Sequence, residues 1–387
     1  MNILYTAYYG LGKGGAEVSM TLLASTLVDN HKIIIASTED YKGFKTYKFS
    51  KYAKCIPSFK VQNDYMANFF SRVIRNENID IIHSHDSRTA IAAILAAKKN
   101  NIKSVTHYRD YWFCCPKSSL LKMDLTSCEE CNAENLKKCS KKTRLLWDMH
   151  KLAYLKSSRH ILNSADEKIA ISRAVRNKLH DSGINEAKII ANGINLELFK
   201  KTKLDESDRN VVLGYVGSLS YNKGLQTISK AIGNILRKYA KTKLIVIGEG
   251  ELKKGLIEEF KEFEERVLFM GNLDYNSTIK EYGSIDIILI PSAWQEPFSR
   301  VAIEAMAAGK PMVASNVGGL REIVKKDFGF LIDAKKTQGW ENAVEALLSE
   351  KTKRNSMGKC ALRESKKYDI KFIAKKIDGV YKVLHEK

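Results

Sequence analysis

Short β-branched runs alternate with longer amphipathic stretches along most of the chain, and that rhythm confines the fold to parallel sheets covered by helices. In the first half, residues 3–6, 32–36, 80–83, 103–107 and 160–163 read as strands, with 168–171 as a further short candidate. Residues 17–27 and 89–97 between them carry helical periodicity. Runs such as IIIA and the core of DIIH are apolar without alternation, as strands buried on both faces must be. The pattern breaks at residues 192–210, NGINLELFKKTKLDESDRN, a polar and charged linker candidate. It restarts with VVLGYVG at Val211 and continues through LIVIG at Leu244, VLFMG at Val267, IDIILIP at Ile285 and PMVAS at Pro311. Two such series predict two doubly wound, Rossmann-like domains, which bind ligands outside the carboxyl ends of their strands. The expected division is 1–200, with a cysteine-containing insertion near 110–145, then 201–365, then a terminal helix over 366–387. In that last segment Ile370, Ile373, Ile377, Val380 and Val383 recur at helical spacing and need a surface to pack on.

The chain's 387 residues exceed the size at which a single core usually stops growing, which agrees with two domains. The formal charge is +20 and both halves are basic, so the field attracts anions in general without naming one. No homeodomain, finger or OB-type signature accompanies the charge, and nucleic acid is not an expected partner. The amino terminus MNILYTAYYG reads as a first core strand, not a leader, and no run reaches the roughly 18–20 apolar residues that span a bilayer. A cytoplasmic protein is expected, with contact at the inner face of a membrane allowed by the stretch 141–160. There six Lys or Arg against one Asp interleave with Leu145, Trp147, Leu152, Tyr154 and Leu155. An ordinary domain-covering helix is the equal alternative.

Five of the seven cysteines crowd one region. Cys128-x2-Cys131 has the spacing of a zinc hook, and Cys139 with either Cys114 or Cys115 would complete four tetrahedral ligands. Free thiols in an insertion are the competing reading. Cys115, Cys128, Cys131 and Cys139 form the candidate set.

Three segments carry chemistry. GLGKGGAEVSM, residues 10–20, follows the first strand; its glycines, Gly14 and Gly15 among them, let backbone amides approach a phosphate at a helix start. Gly10, Gly12 and Gly15 also satisfy the bare dinucleotide spacing, with Glu39 or Asp40 at the next strand end, so a dehydrogenase competes on this loop alone. VGSLSYNKG, residues 216–224, offers Gly217 for the turn and Lys223 as a cation for a departing diphosphate. Residues 291–319 hold the third segment. Ser299 is placed to cap a helix running through Met306, and Gly309 with Pro311 stops it. Glu296 sits just ahead of that helix, beside free amides that suit sugar hydroxyls. Glu304 lies inside the apolar VAIEAMAA, where a carboxylate must be paired or must hold a polar ligand such as a ribose diol. His83, His85 and His107 fall at neighbouring strand ends; His107 is expected to serve a polar cleft, the other two local hydrogen bonds. None has metalloprotease spacing, and no catalytic metal is expected.

Together these segments resemble the retaining glycosyltransferases of family 4, whose fold is GT-B. The hallmark is E-x7-E, here Glu296 to Glu304 in EPFSRVAIEAMAAGKP. GGAE, the SRAV at Ser172, NGI at Asn192, YNKG and the GEG at Gly248 support it across essentially the whole chain. The resemblance implies two Rossmann-like domains facing across a cleft, with the terminal helix crossing back to the first. It implies Gly14, Gly15, Gly217, Ser218, Lys223 and Gly248 about the donor diphosphate. Glu296 with the amides of Phe298 and Ser299 would then lie on the transferred sugar, Glu304 on the ribose, and His107 near the anomeric centre. His107, Lys223 and Glu296 are the catalytic candidates. Two positions depart from the family: Ser218 stands where an arginine is frequent, and Ser299 where a glycine is frequent. The first calls for a substitute cation, the second for a different sugar preference. The implied reaction moves a hexosyl or related unit from a UDP- or GDP-sugar, without further cofactor, to a glycan or lipid-linked acceptor in cell-envelope polysaccharide biosynthesis. A GT-B nucleotide-sugar epimerase or phosphorylase, and a non-catalytic basic binding protein, are the alternatives.

Overall fold

The computed structural model describes residues 1–9, 15–200 and 210–386. The chain divides into two compact units, one of residues 1–120, 128–193 and 370–387, the other of 121–127 and 194–369. The break thus falls at Gly193/Ile194, a few residues before the expected 200, and the final segment starts at Ile370, not 366. The heart of the expected linker, 201–209, lies outside the described residues.

Among the described residues the first unit holds seven parallel strands: β1 (Asn2–Thr6), β2 (Lys32–Ser37), β3 (Lys45–Lys48), β4 (Ile81–Ser84), β5 (Lys103–Tyr108), β6 (Glu167–Ala170) and β7 (Ala187–Ile189). Their order is β3-β2-β1-β4-β5-β6-β7. The second unit holds β8 (Val212–Val216), β9 (Lys243–Ile247), β10 (Val267–Gly271), β11 (Ile287–Ile290), β12 (Met312–Ser315) and β13 (Gly329–Ile332), ordered β10-β9-β8-β11-β12-β13. Each sheet winds outward from its first strand, reverses, and winds the other way. The switch points lie between β1 and β4, and between β8 and β11, where doubly wound sheets open a crevice for ligands.

The central strands are buried on both faces, as their unbroken apolar runs require: Ile81 and Ile82 in β4, and all of β11, are covered. One sequence expectation is overturned. Residues 160–163 are not a strand but part of the short helix Arg159–Asn163, where the amides of Ile161 and Leu162 both return to the Ser158 carbonyl. A short apolar run does not by itself distinguish strand from helix, and the place beside β5 is taken by β6. The edge strands β3 and β7, and β13, are too polar or too short to stand out in the sequence.

The helix Ile370–His385 belongs to the first unit, packing on the helix Gly15–Leu27 and on β1 and β2 core residues. Ile370, Ile373, Ile377 and Val380 are buried as their spacing demands, but Val383 is 46% exposed, and Tyr381 and Leu384 complete the buried stripe instead. A helix advances about 100° per residue, so a run of threes and fours drifts off the face unless position 384 takes over from 383. Ile377→Ala should therefore cost about 2–5 kcal/mol of unfolding free energy. Val383→Ala should cost within about 0.5 kcal/mol. Denaturant titrations of the two variants check the contrast.

Candidate active site

In the second unit, the loops after β8 and β11 meet across the switch point. The Ala293 amide donates to the Asn222 carbonyl at 2.9 Å, and Gly224, with φ +76°, passes so close to the chain after β11 that a Cβ there would stand 2.0 Å from the Pro291 carbonyl oxygen. Only glycine fits that crossing. The short turn Tyr221–Lys223 just before it aims Lys223 at the other loop. Its ammonium donates to both carboxylate oxygens of Glu296, at 3.1 and 3.0 Å, and lies 5.1 Å from the centre of the Trp294 ring. Glu296 also accepts from the Ser292 hydroxyl and the Trp294 indole, each at 2.8 Å. The Glu296 side chain is nearly buried, at 6% exposure, while that of Lys223 keeps 30%. A cation with a partner on one side and an open approach on the other suits an anionic ligand that shares or takes over that partner.

The helix Arg300–Ala307 follows directly. Ser299 caps it as expected, its hydroxyl accepting from the Ala302 amide at 3.2 Å. Ser299 and Phe298 are both buried. The loop ahead of the helix is clamped from β12: the Gly318 amide donates to the Gln295 side chain at 3.0 Å, and the Gly319 amide to the Glu296 carbonyl at 2.6 Å. Glu304 is buried and paired. Arg300, one turn earlier, donates to it at 2.9 Å, and the Tyr282 hydroxyl donates at 3.2 Å. Arg300 also reaches the Tyr275 hydroxyl at 3.0 Å. A carboxylate has about four lone-pair positions, so these contacts leave room for a further donor.

The remaining predicted positions of this unit sit on the same strand ends. Gly217 and Gly248 end β8 and β9, tied by the Gly217 amide to Ile247 at 2.9 Å and the Gly248 amide to Gly271 at 2.8 Å. A Cβ on Gly248 would lie 1.9 Å from the Gly217 carbonyl oxygen. Ser218 is exposed, its hydroxyl 3.0 Å from that of Ser220. Beside this cluster lies a cavity of about 420 Å³, lined by Thr227, Ala293, Asn316, Arg321 and Lys335 and by the turn 124–127, whose Ser127 accepts from Gln295 at 3.1 Å.

In the first unit the three histidines come together. His83 lies in β4, His85 just after it and His107 in β5, all buried. Ring centroids are 4.0 Å apart for His83 and His85, and 5.6 and 5.7 Å for His107 with each. Tyr381, from the terminal helix, bonds His83 Nδ1 at 2.6 Å and the Tyr5 hydroxyl at 2.9 Å. Arg109 lies 3.1 Å from His85 Nδ1 and is held by Asn192. Burial first, then the Arg109 charge, drives the His83 and His107 imidazoles far below their ordinary range. Burial and the neighbouring His83 and Arg109 do the same to His85. One ligating atom of each histidine lies within 4.8 Å of the others, a spacing a metal would need. Arg109 opposes that reading: a guanidinium donates only, so His85 Nδ1 accepts and Nε2 keeps the proton. Both ring nitrogens of His107 and the Nε2 atoms of His83 and His85 are buried without a hydrogen-bond partner among the described residues.

Gly15 opens the first helix, exposed; Gly14 lies outside the described residues. The sequence reading missed Ser292 and Trp294 around Glu296, and Arg109 and Tyr381 around the histidines. It also missed Arg300, although its i,i+4 offset from Glu304 was legible.

Sheet order and strand-end chemistry define a protein of two Rossmann-like domains with the GT-B fold. Residues 13–198 match the family model Glycosyltransferase Family 4, and residues 197–363 match Glycosyl transferases group 1. The two halves of the chain are thus each similar to a glycosyltransferase family. It is 31% identical over 237 residues to an uncharacterised glycosyltransferase of Methanocaldococcus jannaschii, covering 56% of this chain and 60% of that protein. It is 26% identical over 236 residues to the capsular polysaccharide biosynthesis glycosyltransferase CapM of Staphylococcus aureus, covering 56% and 61%. The matched parts thus span about three fifths of these curated relatives. Among solved structures, HepE of Anabaena in complex with UDP-glucose superposes with a TM-score of 0.75 at 20% identity, over 99% of this chain and 100% of that one.

The neutral histidine cluster generates a pH prediction. Groups whose folded pKa is depressed contribute stability that is present above the unfolded value, about 6.5, and lost as pH falls below it. Unfolding free energy should be level above about pH 7 and drop below pH 6.5, by about 1.4 kcal/mol per pH unit for each imidazole kept neutral. His83→Gln and His85→Gln should each flatten that slope; slopes equal to the parent's would refute the linkage.

Proposed function

We propose that the protein transfers a sugar, with retention of anomeric configuration, from a UDP- or GDP-sugar to a glycan or lipid-linked acceptor in polysaccharide assembly. The observation that carries this reading is the Lys223–Glu296 pair at the second unit's switch point. Glu296, freed from or sharing Lys223, accepts hydroxyls of the transferred sugar, and Lys223 turns to the diphosphate. Phe298 and Ser299 contribute amides at the helix start. The open lone pairs of Glu304 take the ribose hydroxyls. Gly217, Ser218 and Gly248 line the approach of the diphosphate. His107, neutral and unsatisfied, hydrogen-bonds at the reacting sugar without adding a cation. The bond from the anomeric carbon to the diphosphate oxygen breaks while the acceptor oxygen bonds that carbon on the same face. The acceptor's proton passes to the departing diphosphate, whose charge Lys223 and the loop amides stabilise. No residue of this scheme requires a metal.

The HepE complex with UDP-glucose supports a nucleotide-sugar donor, and the CapM relationship supports a polysaccharide acceptor. Lys223→Ala should lower turnover at saturating donor by about 100-fold. Glu304→Gln, which keeps the volume, should raise donor KM by about tenfold or more, with turnover less affected. Wild-type turnover in the first variant or wild-type KM in the second would remove the assigned role. Diphosphate release only when an acceptor is present would separate transfer from epimerisation or phosphorolysis.

The same reading places the enzyme in the cytoplasm, touching the inner membrane face when its acceptor is lipid-linked. No helix among the described residues is long and apolar enough to cross a membrane. Of the apolar residues singled out in 141–160, Leu152 and Leu155 are buried and Tyr154 is tied to Asn63. Trp147, from that set, is exposed, and Leu146 and Met149 join it on the helix Leu145–Ser157, next to Lys141, Lys142 and Arg144. Vesicles rich in phosphatidylglycerol should sediment the protein at low salt. Leu146→Glu with Trp147→Glu should abolish that, and equal sedimentation by the double variant would exclude this face.

A further inference from the structure

The insertion between β5 and the helix Leu145–Ser157 gives one short stretch, residues 121–127, to the second unit. That stretch is a narrow hairpin. Leu121 and Ser127 pair antiparallel, and the Lys122 amide donates to the Thr126 carbonyl at 2.9 Å. Near its tip Leu125 takes a left-handed φ of +61°, and Asp124 Oδ1 accepts from the Thr126 amide and hydroxyl at 2.9 and 2.6 Å. Gln295 anchors the hairpin: its amide nitrogen donates to the Ser127 hydroxyl at 3.1 Å, and its oxygen accepts from the Gly318 amide at 3.0 Å. The residue that holds the hairpin is therefore the chain neighbour of Glu296.

Residues 124–127 line the cavity of about 420 Å³ together with the segments that follow β12 and β13. That volume lies in the range of small-molecule sites, roughly 300–1,000 Å³. None of the donor-site residues described above is among its lining residues. Its polar groups are partly committed and partly open. Arg321 Nε donates to the carbonyl and the side-chain oxygen of Asn316, both at 3.0 Å, and Nη2 donates to that carbonyl at 2.8 Å. The guanidinium is thereby fixed in orientation, with Nη1 uncommitted among the described residues. Lys335 adds an ammonium, and its backbone amide donates to Asp333 Oδ1 at 3.0 Å. Asp124 and Asp333 each use Oδ1 in their own turn and keep Oδ2 as an acceptor. Ala293, Val317 and Leu125 supply apolar contact. Two cations are matched by two carboxylates, so this cavity is close to neutral in a chain of formal charge +20. An anionic ligand gains nothing from that balance, since the basic field attracts it over the surface at large. Donors and acceptors in equal supply beside small apolar side chains suit the hydroxyls and C–H face of an uncharged sugar ring.

We infer that this cavity is a subsite for an uncharged sugar unit of the acceptor, selected by Arg321 and the hairpin 121–127. The inference rests on the sugar-transfer reading above, which makes the acceptor a carbohydrate or its lipid-linked form. Ala293 joins the cavity to the reacting groups: its amide holds the Asn222 carbonyl, one residue from Lys223. A glycan seated there keeps one unit in the cavity while a neighbouring unit presents its hydroxyl to the donor. The hairpin is then the part of the insertion that sets acceptor preference.

The test is saturation-transfer NMR on the full chain, with the methyl glycosides of glucose, galactose, mannose, N-acetylglucosamine and glucuronic acid as probes. At least one neutral glycoside should bind, and it should stay bound when UDP-glucose or GDP-mannose is added. Arg321→Ala should weaken that binding by about tenfold. Ala334→Trp, which fills the cavity from a surface turn, should abolish it. Calorimetric titration with UDP and GDP reports the donor site separately, and the nucleotide affinity of both variants should equal the parent's. A parent that binds glycosides through Arg321 but neither nucleotide upholds the subsite while the transfer reading fails. Absence of binding by every neutral glycoside would overturn the inference, as would displacement by a nucleotide sugar. So would a preference for the glucuronide, or parent-like glycoside binding in Ala334→Trp.

Discussion

The ion pair from Lys223 to Glu296 bridges the point where the second sheet reverses its winding, and most of the local architecture serves it. Gly224 lets the loop after β8 pass against the Pro291 carbonyl, and the Gly318 and Gly319 amides clamp the loop after β11 from the other side. A nearly buried carboxylate is expensive to desolvate, and its four donor contacts offset that cost. Such a pair is weak evidence for stability and better evidence for a site. Replacing the half-exposed lysine's partner with an anionic ligand changes the pair without dismantling the fold.

The first unit meets the opposite problem. Three imidazoles share a buried space with a guanidinium, and none gains by carrying a proton there. Tyr381 and Arg109 occupy one nitrogen each of His83 and His85, leaving the other nitrogen of each without a partner among the described residues. A neutral, partly unsatisfied polar cluster at strand ends suits hydroxyl groups better than a metal ion. It also ties the terminal helix into the site: Tyr381 is separated from His83 by 298 residues and joined to it by one hydrogen bond.

Much of this was legible in one dimension. Alternating apolar runs announced two parallel sheets, and Ser299, Gly309 and Pro311 marked the ends of the helix that carries Glu304. Gly217 marked the turn after β8. Where the reading failed, local signals were ambiguous for a stated reason: residues 160–163 are too few for periodicity to separate helix from strand, and Val383 lies where helical drift has carried the stripe to 384. Glu304 was read as a carboxylate needing a partner, and the structure supplies Arg300 and Tyr282.

The sequence alone determined the elements and their periodicity, the helix caps, the glycine positions and the E-x7-E spacing, because each depends on residues within a turn or two of one another. Only the tertiary structure decided that Lys223 faces Glu296 across 73 residues, and that a tyrosine of the last helix holds a histidine of the fourth strand. Those partners are chosen by strand order and burial. Contacts between distant segments leave no trace in the local pattern from which a single sequence is read.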